Sequence, residues 1–366
     1  MAHKKNWMAQ LQKLEGAVIE RTNPHNEVLR SPSPSVNFVF GNGWGLPFGY
    51  TAIISGPPKG GKSVLCNAFI GQLHKDYPDA IAVKYNTELR EKAQLTAKMA
   101  EAYGIDMDRY QAYDTNQPDM IFDKIRDDIG AMCADGAPIK LIVIDSVNAI
   151  QGRRSMNADT VMTQQIGDLA ATMKDGLKLI LPTQRRYGIA VLLTAHVTAE
   201  MDPMEQRKGK TMKMSAGNGI QHFAEFFLWA EPNRSKDGRS TILGEELIDE
   251  SKTDLMNKAE RTGHKIRVRM ENSSMGPPGR VGEFTMDYRS GIVHQEEEVF
   301  LLGVNRGVIG HPNNTRYEFG DKYWTGKEAT VTAIKDNPEL AENVLKELRR
   351  LDMEGKIVEP VEVEES

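Results

Sequence analysis

The sequence is poor in cysteine and contains no long apolar run. Cys66 and Cys133 are the only cysteines in 366 residues, which is too few for a disulfide framework or a cysteine zinc site and suits a reducing compartment. The best apolar runs, at 141–144 and 190–193, are far shorter than the ~18–20 residues of a membrane-spanning helix. Because the start of the chain also lacks the apolar stretch of a signal peptide, we expect a cytoplasmic protein without a membrane partner.

An excess of positive charge is also lacking. The net charge of -5 argues weakly against a nucleic-acid-binding protein, since such domains are usually basic. The charge is unevenly distributed, however: Glu359, Glu362, Glu364 and Glu365 form an acidic end, and cations cluster between 205 and 213. The acidic balance therefore does not exclude nucleic acid, and an apolar content of 40% indicates an ordinary globular protein.

Short apolar runs alternate with helical patterns between about 36 and 300. Runs at 51–54, 80–83, 141–144 and 189–193 predict strands, and stretches near 62–75, 89–103, 118–134 and 158–180 predict helices. This alternation indicates an α/β fold with a mainly parallel central sheet flanked by helices. Strands expected at 265–270 and 280–286 alternate charged with apolar residues, which is typical of antiparallel strands with one solvated face.

Proline marks the first boundary of the chain, at 31–34. We expect an N-terminal helix and linker over 1–32, with Trp7 a candidate for subunit docking, then a core over 33–298. A small C-terminal domain over 299–358 and an acidic tail over 359–366 would follow. The C-terminal domain should end in a helix with Leu340, Val344, Leu348 and Leu351 on one face, closed by Gly355.

The most specific motif is Gly-Pro-Pro-Lys-Gly-Gly-Lys-Ser at 56–63. It fits the phosphate-binding pattern G-x-x-x-x-G-K-[ST], and it lies between a predicted strand and a predicted helix, as that pattern requires. Backbone N–H groups and the helix N-terminus would bind phosphate, Lys62 would reach the β- and γ-phosphates, and the Ser63 hydroxyl would ligate Mg²⁺. The predicted nucleotide contacts are Gly56, Pro57, Pro58, Lys59, Gly60, Gly61, Lys62, Ser63 and Val64.

Three polar residues follow strands predicted to end at the same edge of the sheet. Asp145 can hold Mg²⁺ beside Ser63, although an aspartate after a strand is often a cap or turn residue. Glu88 can polarise an attacking water or can sit idle at a helix N-terminus. His196 can contact the γ-phosphate and signal its presence to the next loop, or it can be structural.

These residues together resemble RecA-type recombinases. Residues 35–50 resemble the family's segment S-x-x-hydrophobic-G-x-G-G-L-P-x-G, and 56–63, Glu88, the Asp-Ser at 145–146 and a polar residue after strand four follow in family order. The histidine at 196 is most similar to the phage UvsX-like branch, and residues 216–219 resemble the Gly-Gly-Asn that closes the second DNA loop of the family.

The resemblance implies an ATP- and Mg²⁺-dependent ATPase that forms helical filaments on single-stranded DNA and exchanges strands with a duplex. Lys62, Glu88 and His196 would be its catalytic residues, and Ser63 and Asp145 its metal ligands. Two loops, about 151–165 and 198–218, would line the DNA. A single-strand-binding protein and a loader are candidate partners, in a bacterial host cytoplasm if a phage encodes the chain. The implied DNA contacts are Arg153, Arg154, Arg207, Lys208, Lys210, Lys213, Gly217 and Asn218.

The sequence departs from the family at the subunit interface. Residues 271–274 carry no lysine where the bacterial proteins place cations against the neighbouring subunit's ATP. Either Arg267, Arg269 or Arg280 takes that role, or the step across the subunit interface is weaker. The segment between Glu88 and Tyr103 is longer than usual, and the adenine-stacking residue is left unassigned. Two alternatives stay open: a hexameric helicase with the same core, and an ATP-binding regulatory or structural filament protein.

Overall fold

The computed structural model describes residues 27–41, 43–89, 93–156, 167–199, 204, 207, 212–214, 220, 224–233, 240–243, 246–249, 261–276, 278–313 and 315–355. The predicted helix around Trp7 and the acidic tail lie outside these residues. The strands, in chain order, are β1 (Val28–Leu29), β2 (Leu46–Pro47), β3 (Thr51–Ser55), β4 (Ile81–Asn86), β5 (Tyr110–Asp114), β6 (Ile139–Asp145), β7 (Ala190–Ala195), β8 (Val197–Ala199), β9 (Met212–Met214), β10 (Phe226–Pro232), β11 (Ser240–Leu243), β12 (Glu246–Asp249), β13 (Arg261–Ser273), β14 (Val281–Asp287), β15 (Gly291–Val293), β16 (Gly310–Asn313), β17 (Arg316–Phe319) and β18 (Lys322–Thr325). The helices are α1 (Pro34–Val39), α2 (Lys62–Asp76), α3 (Ala93–Tyr103), α4 (Gly130–Ala134), α5 (Arg153–Met156), α6 (Asp168–Tyr187), α7 (Gln295–Asn305), α8 (Lys327–Asp336) and α9 (Pro338–Met353).

A mixed sheet runs through the centre of the molecule in the order β12-β11-β13-β10-β3-β7-β6-β4-β5. The strands from β10 to β5 in this order pair in parallel. Strands β11 to β15 add an antiparallel part, joined to the rest where β13 pairs with β10. The predictions of a mainly parallel α/β sheet and of late antiparallel strands are confirmed.

Helices cover both faces of the inner parallel strands β3, β4, β6 and β7, which explains why these strands are nearly continuous apolar runs. On one face α2 buries Leu65, Phe69, Ile70 and Leu73. On the other face α6, with Met173, Leu177 and Ile180, packs beside the helical segment that precedes α4. This segment begins with π-helical turns over Asp119–Asp123 and Ile125–Ile129. Each fully buried large side chain contributes roughly 1.5–3 kcal/mol to the free energy of unfolding.

Strand β5 and helix α6 are among the elements that differ from the sequence predictions. Strand β5 was missed because it is an edge strand whose side chains are mostly exposed, so no apolar run marks it. The helix predicted over 158–180 extends to Tyr187, past an exposed Pro182, while 158–166 lies outside the described residues. Beyond the proline, Gln184 is buried against Thr51 of β3 and Thr183 is buried beside Gly130 of α4. This packing outweighs the proline, whose ring faces solvent. Gly188, at a φ of 62°, ends the helix in the left-handed conformation.

The C-terminal part combines α7, the three-stranded sheet β16-β17-β18, α8 and α9. In α9, Leu340, Val344 and Leu348 are buried as predicted, whereas Leu351 in the last turn is only half-buried, and Gly355 follows with a φ of 66°. The apolar cluster of this part also includes Phe38 and Trp44 from the chain before the first long strand. The C-terminal part therefore shares its core with the beginning of the described chain.

An ion pair closes this junction. The Arg280 guanidinium donates to both carboxylate oxygens of Asp352, at 2.9 and 2.8 Å, and the Trp44 indole donates to the same carboxylate at 3.0 Å. Arg280 also lies over the Phe38 ring at 4.8 Å. Arg280 is thus engaged within its own chain, and its expected role against a neighbouring subunit's ATP stays a prediction.

Candidate functional site

The loop at 56–63 is backed by two strands from the far end of the chain. Gly56 has a φ of 154°, and a Cβ on it would lie 1.9 Å from the carbonyl oxygen of Ala230 in β10. Gly61 has a φ of 79°, and a Cβ there would lie 2.3 Å from a methyl carbon of Ile266 in β13. The glycines are required because the loop is pressed against backbone and side chain and turns through left-handed conformations.

Lys62 begins α2 and closes the loop on itself. It is only 7% exposed, and its ammonium donates to the carbonyl oxygens of Gly56 and Pro57 at 2.8 and 2.9 Å. Burial lowers the pKa of Lys62, while the nearby carboxylates Asp145 and Glu88 act in the opposite direction. The cation is held where a phosphate group would compete with the two carbonyls.

Ser63 and Asp145 present oxygen atoms to the same pocket. Ser63 is exposed on the first turn of α2, where N–H groups without helical partners favour an anion. Asp145 ends β6, and its carboxylate accepts a hydrogen bond from Thr194 Oγ1 at 2.5 Å, which orients it. Among the residues that the structure describes, no cluster of three or more His, Cys, Asp or Glu side chains could hold a metal alone.

Glu88 and His196 meet beside these groups. His196 Nε2 lies 2.6 Å from Glu88 Oε1, and the Ser146 hydroxyl donates to the same oxygen at 3.1 Å. Both side chains line the pocket and are partly exposed, 22% for Glu88 and 42% for His196. The ends of β4, β6 and β7 thus bring together the residues that the sequence had placed at one edge of the sheet.

The pocket has a volume of about 1050 Å³ and a second wall that the sequence analysis missed. Here the His264 ring contacts the Tyr288 hydroxyl at 3.0 Å and the carbonyl oxygen of Lys59 at 3.2 Å. The only sequence signal was a histidine directly before the strand predicted at 265–270. This wall comes from Pro232, Asn233, His264, Lys265, Met286 and Tyr288.

Only part of the predicted DNA surface is described. Arg153 opens α5, and its guanidinium donates to Asp119 at 2.8 Å and to Asp123 at 3.4 Å. Arg154 is exposed beside it, and Arg207 is exposed farther along the chain. Lys208, Lys210, Gly217 and Asn218 lie outside the described residues.

A short two-stranded ribbon starts next to His196. Strand β8 pairs antiparallel with β9, with Thr198 opposite Lys213. The predicted second loop therefore leaves and returns beside the pocket. Of the two other arginines expected to contact a neighbouring subunit, Arg269 forms an ion pair with Glu271, and Arg267 is exposed on β13. None of the described helices has the length and apolar character needed to cross a membrane.

Comparison with known proteins gives a consistent result. The family model for the RecA N-terminal domain matches residues 10–293. A protein named RecA from Bacteroides thetaiotaomicron is 26% identical over 319 residues, 87% of this chain and 86% of its own length. The RecA proteins of Psychrobacter arcticus and Frankia alni are 26% and 23% identical over 88% and 98% of this chain, and 82% and 96% of their own lengths. With this match and the site described above, the chain belongs to the RecA family.

Proposed function

We propose that the protein is an ATP-dependent recombinase of the phage UvsX-like branch. In this proposal it forms a helical filament on single-stranded DNA, hydrolyses ATP in a DNA-dependent manner, and pairs and exchanges the bound strand with a homologous duplex. The observation that carries it is the contact between Glu88 and His196 inside the phosphate-loop pocket, at the start of the β8–β9 ribbon. That contact links a group suited to hydrolysis with the predicted second DNA loop.

The residues present fit ATP and Mg²⁺. The loop from Gly56 to Val64 offers N–H groups, Lys62 offers a cation, and Ser63 and Asp145 offer the hard oxygen ligands that Mg²⁺ prefers. Few protein ligands are needed, because Mg²⁺ usually keeps several waters and takes phosphate oxygens as further ligands. When bound, the ion neutralises charge that develops on the phosphates.

The chain's own residues have separate tasks in this scheme. Lys62 exchanges its two carbonyl acceptors for phosphate oxygens and positions them. Before nucleotide binds, Ser146 and His196 hold the Glu88 carboxylate. With nucleotide bound, Glu88 accepts a hydrogen bond from the attacking water and orients it. When the Glu88 carboxylate turns toward the water, its contact with His196 changes, and the ribbon that begins at Val197 receives that change.

DNA binding is assigned to the two loops, about 151–165 and 198–218. Their cations would neutralise phosphates without reading sequence, and their glycine and methionine residues would adapt to the bases. The proposed contacts are Arg153, Arg154, Arg207, Lys208, Lys210, Lys213, Gly217 and Asn218. We assign the catalytic core to 33–298, subunit docking to 1–32, and a separate C-terminal domain to 299–358, with the acidic tail beyond it.

In this scheme the protein acts in the cytoplasm as an oligomer of identical subunits bound to DNA. Its further partners are a single-strand-binding protein and a loader.

An ATPase assay with and without single-stranded DNA tests the proposed function. Lys62→Ala should lose nucleotide binding, and Glu88→Ala should bind nucleotide but turn over slowly. Lys75→Ala and Glu101→Ala, at exposed positions on α2 and α3, are the matched controls. ATPase activity that does not respond to DNA would contradict the proposal. So would a DNA-binding constant that does not change with salt concentration, because few phosphate contacts would then be made. Closed rings instead of filaments in electron micrographs would favour a helicase.

A further inference from the structure

Asn148 lies in a turn that follows β6 directly. The 3-10 turn Val147–Ala149 is anchored on both sides, because Val147 and Ile150 are 0% and 4% exposed in the apolar core beneath the sheet. The half-buried Asn148 points from this turn toward the end of β7, where its Oδ1 accepts a hydrogen bond from the His196 backbone N–H at 2.5 Å. A rigid turn therefore holds the backbone of His196 through one side chain.

The His196 backbone needs such an acceptor because both neighbouring ladders have ended. The last pair between β6 and β7 is Ile144 with Leu193, and the last pair between β3 and β7 is Ser55 with Ala195. A partly buried N–H without an acceptor is costly. The Asn148 amide oxygen takes the place of a strand carbonyl at this point.

The same turn also reaches Glu88. Ser146, two residues before Asn148, donates its hydroxyl to the carboxylate oxygen that contacts the His196 ring. The segment 146–148 thus contacts Glu88 through Ser146 and His196 through Asn148. Because Glu88 and His196 also contact each other, the three contacts form a closed hydrogen-bond network. Residues 151–165, the predicted first DNA loop, continue from this segment, and the ribbon of the second loop continues from His196.

We propose that Asn148 is a positioning residue that keeps the His196 ring against Glu88 and joins the start of the first loop to the start of the second. This inference rests on the proposed function, in which the Glu88–His196 contact transmits the nucleotide state to the DNA loops. Asn148 touches neither nucleotide nor DNA in this scheme. Its loss should weaken the coupling between the two sites and leave each site able to bind.

The test compares Asn148→Ala, which removes the acceptor, with Asn148→Asp, which retains an acceptor oxygen of the same shape. Asn343→Ala, at an exposed position of α9, is the control for the chemical change itself. Hydrogen exchange of the β8 and β9 amides is measured in the full chain with and without a non-hydrolysable ATP analogue. The kcat and KM of the ATPase are measured with and without single-stranded DNA.

Asn148→Ala should keep the KM for ATP and lose about fivefold in the DNA stimulation of kcat, the factor that corresponds to a hydrogen bond of about 1 kcal/mol. The nucleotide-dependent protection of β8 and β9 should fall with it, and Asn148→Asp should restore most of both effects. Unchanged coupling in Asn148→Ala, a KM that rises as much as the stimulation falls, or an aspartate variant no better than alanine would overturn the inference.

The two proposals fail separately. If the wild-type ATPase ignores DNA, the proposed function is wrong, and the exchange data still decide whether Asn148 couples the nucleotide to the ribbon. If the wild-type enzyme responds to DNA and Asn148→Ala responds equally, only the role of Asn148 is lost.

Discussion

Glu298 provides a pH-dependent test of how the C-terminal part is joined to the rest of the chain. Its carboxyl group is buried in α7, where one oxygen accepts hydrogen bonds from the Ser33 hydroxyl at 2.5 Å and the Ser35 backbone N–H at 2.9 Å. The other oxygen, Oε1, is buried without a hydrogen-bond partner in the described structure. Burial raises the pKa of Glu298 to about 8, with the two serines acting against this and Glu296 adding to it.

The sign of the effect follows from proton binding. Between the unfolded pKa of about 4.5 and the folded pKa of about 8, the folded state keeps a proton that the unfolded state has lost. The stability contributed by this group is therefore full below pH ~4.5 and falls as the pH rises to about 8. At ~1.4 kcal/mol per pKa unit, the loss amounts to about 3–5 kcal/mol.

Glu298→Gln cannot lose a proton, so its free energy of unfolding should be flatter between pH 5 and 8. Its side-chain amide places a buried N–H donor without an acceptor where Glu298 has its unpaired Oε1. This donor lowers the free energy of unfolding by about 1–3 kcal/mol at every pH. The variant should thus be less stable than the wild type near pH 5 and more stable near pH 9. Thermal unfolding midpoints at several pH values measure this, with Glu297→Gln on the same helix as control. Parallel pH curves for wild type and Glu298→Gln would refute the reasoning.

Three further predictions concern the loop, the junction and the first DNA loop. Gly61→Ala should abolish nucleotide binding in an equilibrium titration. The added methyl would lie 2.3 Å from the Ile266 side chain of β13, and the backbone there is left-handed with a φ of 79°. Normal affinity would contradict this close approach. Asp352→Asn should lower the free energy of unfolding by about 3–5 kcal/mol, as expected when one partner of a buried ion pair is removed and Arg280 is left uncompensated; a urea titration that shows less than half of this would mean that water replaces the carboxylate. Asp119→Asn should raise the affinity for single-stranded DNA by about 1.4- to 5-fold at low salt, since Arg153 loses an exposed ion pair worth ~0.2–1 kcal/mol; a decrease in fluorescence anisotropy titrations would show that the pair supports the loop.

Much of the fold followed from local pattern. The strands β3, β4, β6 and β7 are buried on both faces, so their apolar runs are visible without any knowledge of their partners. Strand β5 lies at the sheet edge with exposed side chains, and no local signal separates it from a loop. The end of α6 was misplaced for a related reason, since the burial of Thr183 and Gln184 depends on a neighbouring helix and on the sheet.

The candidate site, like the fold, has one part that the sequence predicts and one part that it does not. The phosphate loop could be read from the sequence because glycine, lysine and serine at fixed spacing carry their own local geometry, and Asp145, Glu88 and His196 could be placed because parallel strands end at one edge. The wall formed by His264 and Tyr288 could not, because these residues lie about 200 positions away from the phosphate loop and reach the pocket only through the antiparallel strands.

The sequence alone determined the class of the fold, the phosphate loop and the set of polar residues at the sheet edge, because those depend on residue type and short-range spacing. Only the tertiary structure decided which polar and charged side chains are paired within the chain. It paired Arg280 with Asp352, placed Arg153 against Asp119, and brought Asn148 to the backbone of His196. Each of these contacts joins residues distant in the chain. The packing of the helices and strands decides which side chains meet, and the local sequence around one residue does not indicate its partner.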